Sequence, residues 1–159
     1  MSAVARRAGV GKAALYRRWS SKLEMVTDLL TRVGTPLAYV KDQGSLEADI
    51  QVFLQQTARL LERPLVKRIL PDLHAEVRRT PALAEAVKNG IQKERRNVGE
   101  QLLERAIARG ELNPELNRPL ALDLFVAPLY WRVIIIDEPT SPEYIKTLTQ
   151  VTLSSLGML

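Results

Sequence analysis

Six side chains near one end of the chain carry chemistry suited to a polyanion: Lys12, Ala13, Tyr16, Arg17, Arg18 and Lys22. On a helix, positions 12, 13, 16 and 17 share one face, because residues three and four apart stand above one another. A lysine there can donate to guanine acceptors or to phosphate, and a tyrosine hydroxyl can reach a phosphate. An alanine leaves room for the helix to approach a groove floor. Arg18 falls at the margin of that face and Lys22 follows one turn beyond it. The pattern points to nucleic acid, with a solvated basic face as the alternative reading.

The charge distribution bears on that choice. Met1 to Arg32 holds seven Lys/Arg against Glu24 and Asp28, a surplus of five that equals the net charge of all 159 residues. The rest of the chain is neutral, with 16 basic and 16 acidic residues. A basic head on a neutral body is the distribution expected of a nucleic-acid-binding module.

Two short helices must position these groups, one about Ser2 to Ala8 and one about Lys12 to Trp19, joined at Ala8-Gly9-Val10-Gly11. Gly9 can take a left-handed backbone without steric penalty, which marks a helix-turn-helix. Val4, Ala5 and Ala8 make a small inner face on the first helix, Leu15 and Trp19 on the second, and Val10 is an apolar plug between them. A third helix opens at Ser21-Lys22-Leu23-Glu24, a capping box. Its free amides and positive dipole end, with Lys22 beside them, offer a phosphate anchor. Leu23, Val26, Leu30 and Val33 then face the body, and Gly34-Thr35-Pro36 ends the helix.

The body reads as all-α. A loop from Pro36 leads to Ser45, which caps a helix with an inward stripe of Leu46, Ile50, Phe53, Leu54, Thr57, Leu60 and Leu61. Pro64 starts another, with Leu65, Ile69, Leu70, Leu73 and Val77 in helical spacing and a kink or break expected at Pro71. From Thr80-Pro81, the residues Leu83, Val87, Ile91, Val98, Leu102, Ala106 and Ile107 trace a long helix to Gly110, interrupted by Glu94, Arg95 and Arg96. A helix from Pro119 is apolar almost all round, as expected of one covered on more than one side. The last begins at Ser141-Pro142-Glu143, with Ile145, Leu148, Thr152 and Leu156 as its seam. About nine helices result, in a head of residues 1–33 and a body of 34–159.

Several functions find no support. There is no cysteine and one histidine, which excludes disulfides and the usual thiolate and zinc constellations. No Gly-rich phosphate loop or paired catalytic carboxylates appear, so no catalytic residue, metal or cofactor is nominated. The longest apolar run, Leu124 to Trp131, is far short of the roughly 20 residues that span a bilayer. A cytoplasmic protein without a membrane partner is the default.

The first stretch resembles the DNA-binding domain of the TetR family of bacterial transcriptional repressors. That family's pattern, Ala-x-x-Ala-Gly-Val-x-x-x-Thr-Leu-Tyr-x-x-Phe/Trp-x-x-Lys-x-x-Leu, is matched by Ala5, Ala8-Gly9-Val10, Leu15-Tyr16, Trp19 and Lys22. Ala14 stands where the family usually has Thr, and Gly11 where a Ser cap is frequent. The family has a further helix ahead of Ser2, so the resemblance implies an N-terminally truncated domain. Arg109 to Tyr144 is similar to the ligand-binding and dimerisation domain of one TetR subgroup.

The resemblance implies that Lys12, Ala13 and Tyr16 face bases or phosphates, that Arg17 and Arg18 flank them, and that Lys22 grips the backbone. It implies a ligand-responsive regulator, a repressor, bound to a palindromic double-stranded operator as a homodimer and released by a small-molecule effector. Dimerisation would use the helices Pro119 to Ile136 and Ser141 to Leu156, with Leu124, Pro128, Leu148 and Leu156 as interface candidates. Phe53, His74, Leu102 and Trp131 are the ligand-binding candidates. Against these stand ordinary roles: a satisfied half-buried His74, core or interface packing for Phe125, Tyr130 and Trp131, and a solvated turn or internal ion pairs for Glu94 to Arg96. Pro128 reads either as a hinge or as a static kink. A rival class is a non-regulatory helical binding or carrier protein whose basic end docks to acidic partners or membrane; a small helical enzyme is the third.

Overall fold

The computed structural model describes residues 1–34 and 39–157. Among them lie nine α-helices: α1 (Ser2–Ala8), α2 (Lys12–Arg18), α3 (Lys22–Gly34), α4 (Leu46–Leu61), α5 (Pro64–Val77), α6 (Pro81–Val87), α7 (Lys93–Ala108), α8 (Arg118–Tyr130) and α9 (Pro142–Ser155). No described residue is in a strand. The expected loop start at Thr35-Pro36 and the side chains of Leu30, Val33 and Ile91 lie outside the described residues.

The body is built around α4. The stripe read from the sequence is the one it buries: Leu46, Ile50, Phe53, Leu54, Thr57, Leu60 and Leu61 all face inward. They pack against α7, α8 and α9. Each fully buried leucine or isoleucine contributes about 1.5–3 kcal/mol relative to exposure. The helix starts where Ser45 Oγ accepts the Ala48 N–H at 3.2 Å. Asn117 and Ser141 cap α8 and α9 in the same way. Each supplies an oxygen to an amide that the helix itself leaves unpaired.

One charged group sits inside this core. Asp49 is 0% exposed; it accepts the Gln43 N–H at 2.9 Å and an N–H of Arg109 at 3.3 Å. Arg105 Nη2 is also 3.3 Å from Asp49, without hydrogen-bond geometry. Arg105 donates to Val40 O, and Arg109 also pairs with Asp42 and Glu111. The cluster ties the segment ahead of α4 to the end of α7. Glu62, just past α4, accepts from the backbone and hydroxyl of Thr140 and so fixes the loop ahead of α9.

Helix interruptions differ from the expectations. α5 runs unbroken across Pro71, and α7 runs through Glu94, Arg95 and Arg96. The long helix is interrupted one turn earlier, by a π-helical turn over Lys88–Gln92 that joins α6 to α7 and contains Gly90. A second π-helical turn, Trp131–Ile135, extends α8. It follows Pro128, which has no N–H to offer the carbonyl four residues back, so the ladder shifts within the next turn.

The outward side of α8 departs from the expectation of burial all round. Leu120, Ala127, Trp131 and Ile135 are exposed, and half-buried Leu124 lies on the same stripe. On α9, Thr147, Val151 and Ser154 are exposed at helical spacing. No helix among the described residues is long and apolar enough to cross a membrane.

Candidate nucleic-acid interface

Glycine at position 9 makes the turn between α1 and α2. Its φ of 66° is left-handed, its N–H donates to Arg6 O, and the Val10 N–H donates to Ala5 O at 3.0 Å. This pair of bonds is a Schellman motif, which a Cβ at the left-handed position would strain. Below the turn, Ala5 and Leu15 are the buried contacts. Val4, Ala8 and Val10, inner residues by spacing, are exposed, the two valines by 39% and 43%. Two seven-residue helices bury one side chain each, Ala5 and Leu15, and leave the valines partly open to solvent.

The α2 face appears as the spacing predicts. Lys12, Ala13, Tyr16 and Arg17 are all exposed on it, with Arg18 beside them. Lys12 Nζ sits 5.7 Å from the centre of the Tyr16 ring, and the Arg18 guanidinium stacks 4.8 Å from the Trp19 ring. Such cation–π contacts preorganise the cations while leaving their donors open to solvent.

Trp19 then locks the reading helix to the anchor helix. Its indole N–H donates to Asp28 on α3 at 2.9 Å, and Arg32 donates to the other oxygen of the same carboxylate. These two bonds, Arg32 first, hold the Asp28 carboxyl below its ordinary range. The pairing of Trp19 with Asp28 joins residues nine apart and has no motif in the sequence that would announce it.

At the start of α3, Ser21 Oγ accepts the Glu24 N–H at 3.1 Å, as a capping box requires. The return bond shifts by one residue: Glu24 accepts the backbone and hydroxyl of Ser20, at 2.7 and 2.6 Å, rather than the Ser21 amide. Those bonds hold the Glu24 carboxyl low. Lys22 stands exposed at the first position of α3. Thus Lys12, Ala13, Tyr16, Arg17, Arg18 and Lys22 are all solvent-facing, on two helices clasped by Trp19 and Asp28.

The other candidates fall in two places. Phe53 and Trp131 line a cavity of about 580 Å³ between α4, α7 and α8, together with Arg95, Arg96, Phe125 and Tyr130. Leu102 does not line it; it is fully buried in the core. His74 is exposed, contrary to the half-buried reading, with its ring edge-on to Tyr130 at 5.4 Å. It stands on α5, a helix that buries only Val66 and Leu73. Burial raises the Tyr130 phenol above its ordinary value. The Arg96 guanidinium pairs with Asp123 at 2.8 Å. Gly99 forms part of the cavity wall, where α7 approaches α8 so closely that a Cβ would meet the Leu122 side chain at 2.5 Å.

Of the interface candidates, Leu124 and Pro128 lie half-buried on α8, whereas Leu148 is buried in the chain's own core and Leu156 packs against it. α9 follows α4, so its Leu148 side faces α4 and its Val151 side faces out. A second cavity, of about 400 Å³, lies where α3 meets α5 and α6, lined by Lys22, Leu23, Val26, Ile69, Leu73 and Leu83 among others.

Comparison with known proteins bears on both parts. Residues 1–29 match the family described as bacterial regulatory proteins, tetR family. Residues 40–152 match the tetracyclin repressor-like C-terminal domain. The HTH-type transcriptional regulator YdeS of Bacillus subtilis is 29% identical over 148 residues, 91% of this chain and 73% of that protein. The DNA-binding transcriptional repressor TetR of Mycobacteroides abscessus is 27% identical over 136 residues, 85% of this chain and 71% of that one. The crystal structure of the TetR family transcription regulator SCO0332 superposes with a TM-score of 0.75 at 28% identity, covering 96% of this chain and 84% of the other.

Proposed function

The chain belongs to the TetR family of bacterial regulatory proteins and is a transcriptional regulator, and from that premise we propose that it represses by binding a palindromic operator as a homodimer. The observation that supports this most is the head: Lys12, Arg17, Arg18 and Lys22 stand exposed on two clasped helices, and residues 1–32 together account for the whole net charge. Division into a DNA-binding head of residues 1–33 and a ligand-binding, dimerising body of 34–159 is part of the reading. In each head α2 enters a major groove; Lys12 reads base edges over the flat Ala13, while Tyr16, Arg17, Arg18 and Lys22 hold phosphates.

A second copy is the occupant we assign to the outward face of α8 and α9. Leu120, Leu124, Trp131 and Ile135 form one apolar stripe, and Thr147, Val151 and Ser154 permit close approach. Two such helix pairs make a four-helix bundle on a two-fold axis, which places the heads on half-sites about 34–36 Å apart. Leu148 and Leu156, packed inward, serve this face as support rather than as contacts.

The effector site is the cavity between α4, α7 and α8. Its wall continues from Arg95 and Gln92 into the π-helical turn Lys88–Gln92, and that turn packs against α3. A ligand that moves the first turn of α7 therefore acts on the element that carries Lys22. It releases DNA in proportion to its preference for the arrangement in which the heads do not fit the operator. Titrating candidate effectors into the protein–operator complex tests this; tight ligands that all leave operator affinity unchanged refute the induction claim.

A further inference from the structure

Arg95 is the one arginine in the cavity wall whose charge meets no acidic partner. It projects from the first turn of α7, its Nε is buried, and no described residue forms a hydrogen bond or ion pair with its side chain. Burial pulls its pKa down, yet a guanidinium stays protonated in proteins, so the charge persists. Its neighbour Arg96 is neutralised by Asp123 on the same wall. The cavity thus carries one uncompensated positive charge among the rings of Phe53, Phe125, Tyr130 and Trp131.

We infer that this cavity takes an organic monoanion, a carboxylate on an apolar body, with the Arg95 guanidinium as its charge partner and the four rings as its walls. A planar carboxylate matches the two-pronged donor set of a guanidinium. A phosphate dianion fits poorly, because the second arginine is already paired and Asp123 would repel it. A volume of about 580 Å³ falls within the range of sites that enclose drug-sized molecules. Aryl and alkyl acids share this chemistry. The inference rests on the reading of the body as an effector domain, and concerns which class of molecule enters it.

Calorimetric titration without DNA tests it, using 4-phenylbutyrate and decanoate beside their neutral amides, on the wild type, Arg95→Gln and Arg95→Lys. The inference expects at least one acid to bind, at least tenfold tighter than its amide. Arg95→Gln should abolish that margin and Arg95→Lys should retain part of it. A better fit for phenylbutyrate marks an aryl ligand, and for decanoate an alkyl one. Absence of binding by both acids at millimolar concentration, equal binding of acid and amide to the wild type, or undiminished preference in Arg95→Gln overturns it. The acid-to-amide ratio in the wild type needs no variant, so a misfolded substitution leaves the test intact. Acid binding without operator release would refute induction and leave this inference standing; operator release by a neutral ligand alone would do the reverse.

Discussion

Replacing Lys22 with glutamine removes one positive charge from the first position of α3 and leaves the α2 face and the Trp19–Asp28 clasp in place. On the proposed reading Arg17, Arg18 and Lys22 are the phosphate-binding cations of each head, so a dimer would present six. Each neutralised phosphate contributes about −0.9 to the slope of log K against log salt, which gives about −5.4 for the wild type and about −3.6 for the variant. Between 50 and 200 mM salt the wild type then weakens about 2,000-fold and Lys22→Gln about 150-fold. Fluorescence anisotropy with a labelled operator duplex in a potassium chloride series reads both slopes. The loss should be the same on operator and random duplex, because phosphates carry no sequence. An unchanged slope in the variant would show that Lys22 does not meet the backbone and would refute the counting of cations from the structure.

Lys12→Ala should instead alter preference, lowering discrimination between operators that differ at one base pair by about 1–3 kcal/mol; equal loss on operator and random DNA would contradict a reading role. Asp49→Ala removes the buried partner of Arg105 and Arg109, so urea unfolding at fixed protein concentration should show a loss of about 3–5 kcal/mol, and a loss below about 1 kcal/mol would mean that Asp42, Glu111 and Val40 satisfy both arginines without it. Val151→Glu together with Leu120→Glu should yield monomers in sedimentation equilibrium with unchanged helicity; a persistent dimer would move the interface elsewhere. The Asp28 carboxyl, lowered by Arg32 and Trp19, stabilises the head at pH values above its unfolded value near 3.8 and loses that contribution as pH falls through the lower folded value. Trp19 emission in a Trp131→Phe background should therefore hold steady down to pH 4 and shift only below it.

How much of this was legible in the sequence depends on distance along the chain. The α4 stripe, the caps at Ser21, Ser45 and Ser141, and the outward set on α2 are local patterns, and the structure shows each of them. Periodicity names the residues that share a face but not whether anything covers it. Hence His74 and Val10 are more exposed than their apolar neighbours suggested, and α8 leaves Trp131 60% exposed. The cavity joins Phe53, Arg95, Phe125 and Trp131 from three helices, and no spacing in the chain encodes that meeting. By composition the charged triplet Glu94-Arg95-Arg96 reads as an interruption. It is an unbroken helix in which adjacent arginines have different fates, one paired with Asp123 and one not.

Selection of bound fragments from the organism's own genomic DNA, with retention followed through a salt series, tests the DNA-binding account most directly. The account predicts enrichment of a palindrome whose half-sites are centred about one helical turn or slightly more apart. It also predicts retention that falls steeply with salt yet stays selective for that site. Fragments without a common sequence, or binding to anionic lipid vesicles as strong as to any duplex, would contradict it.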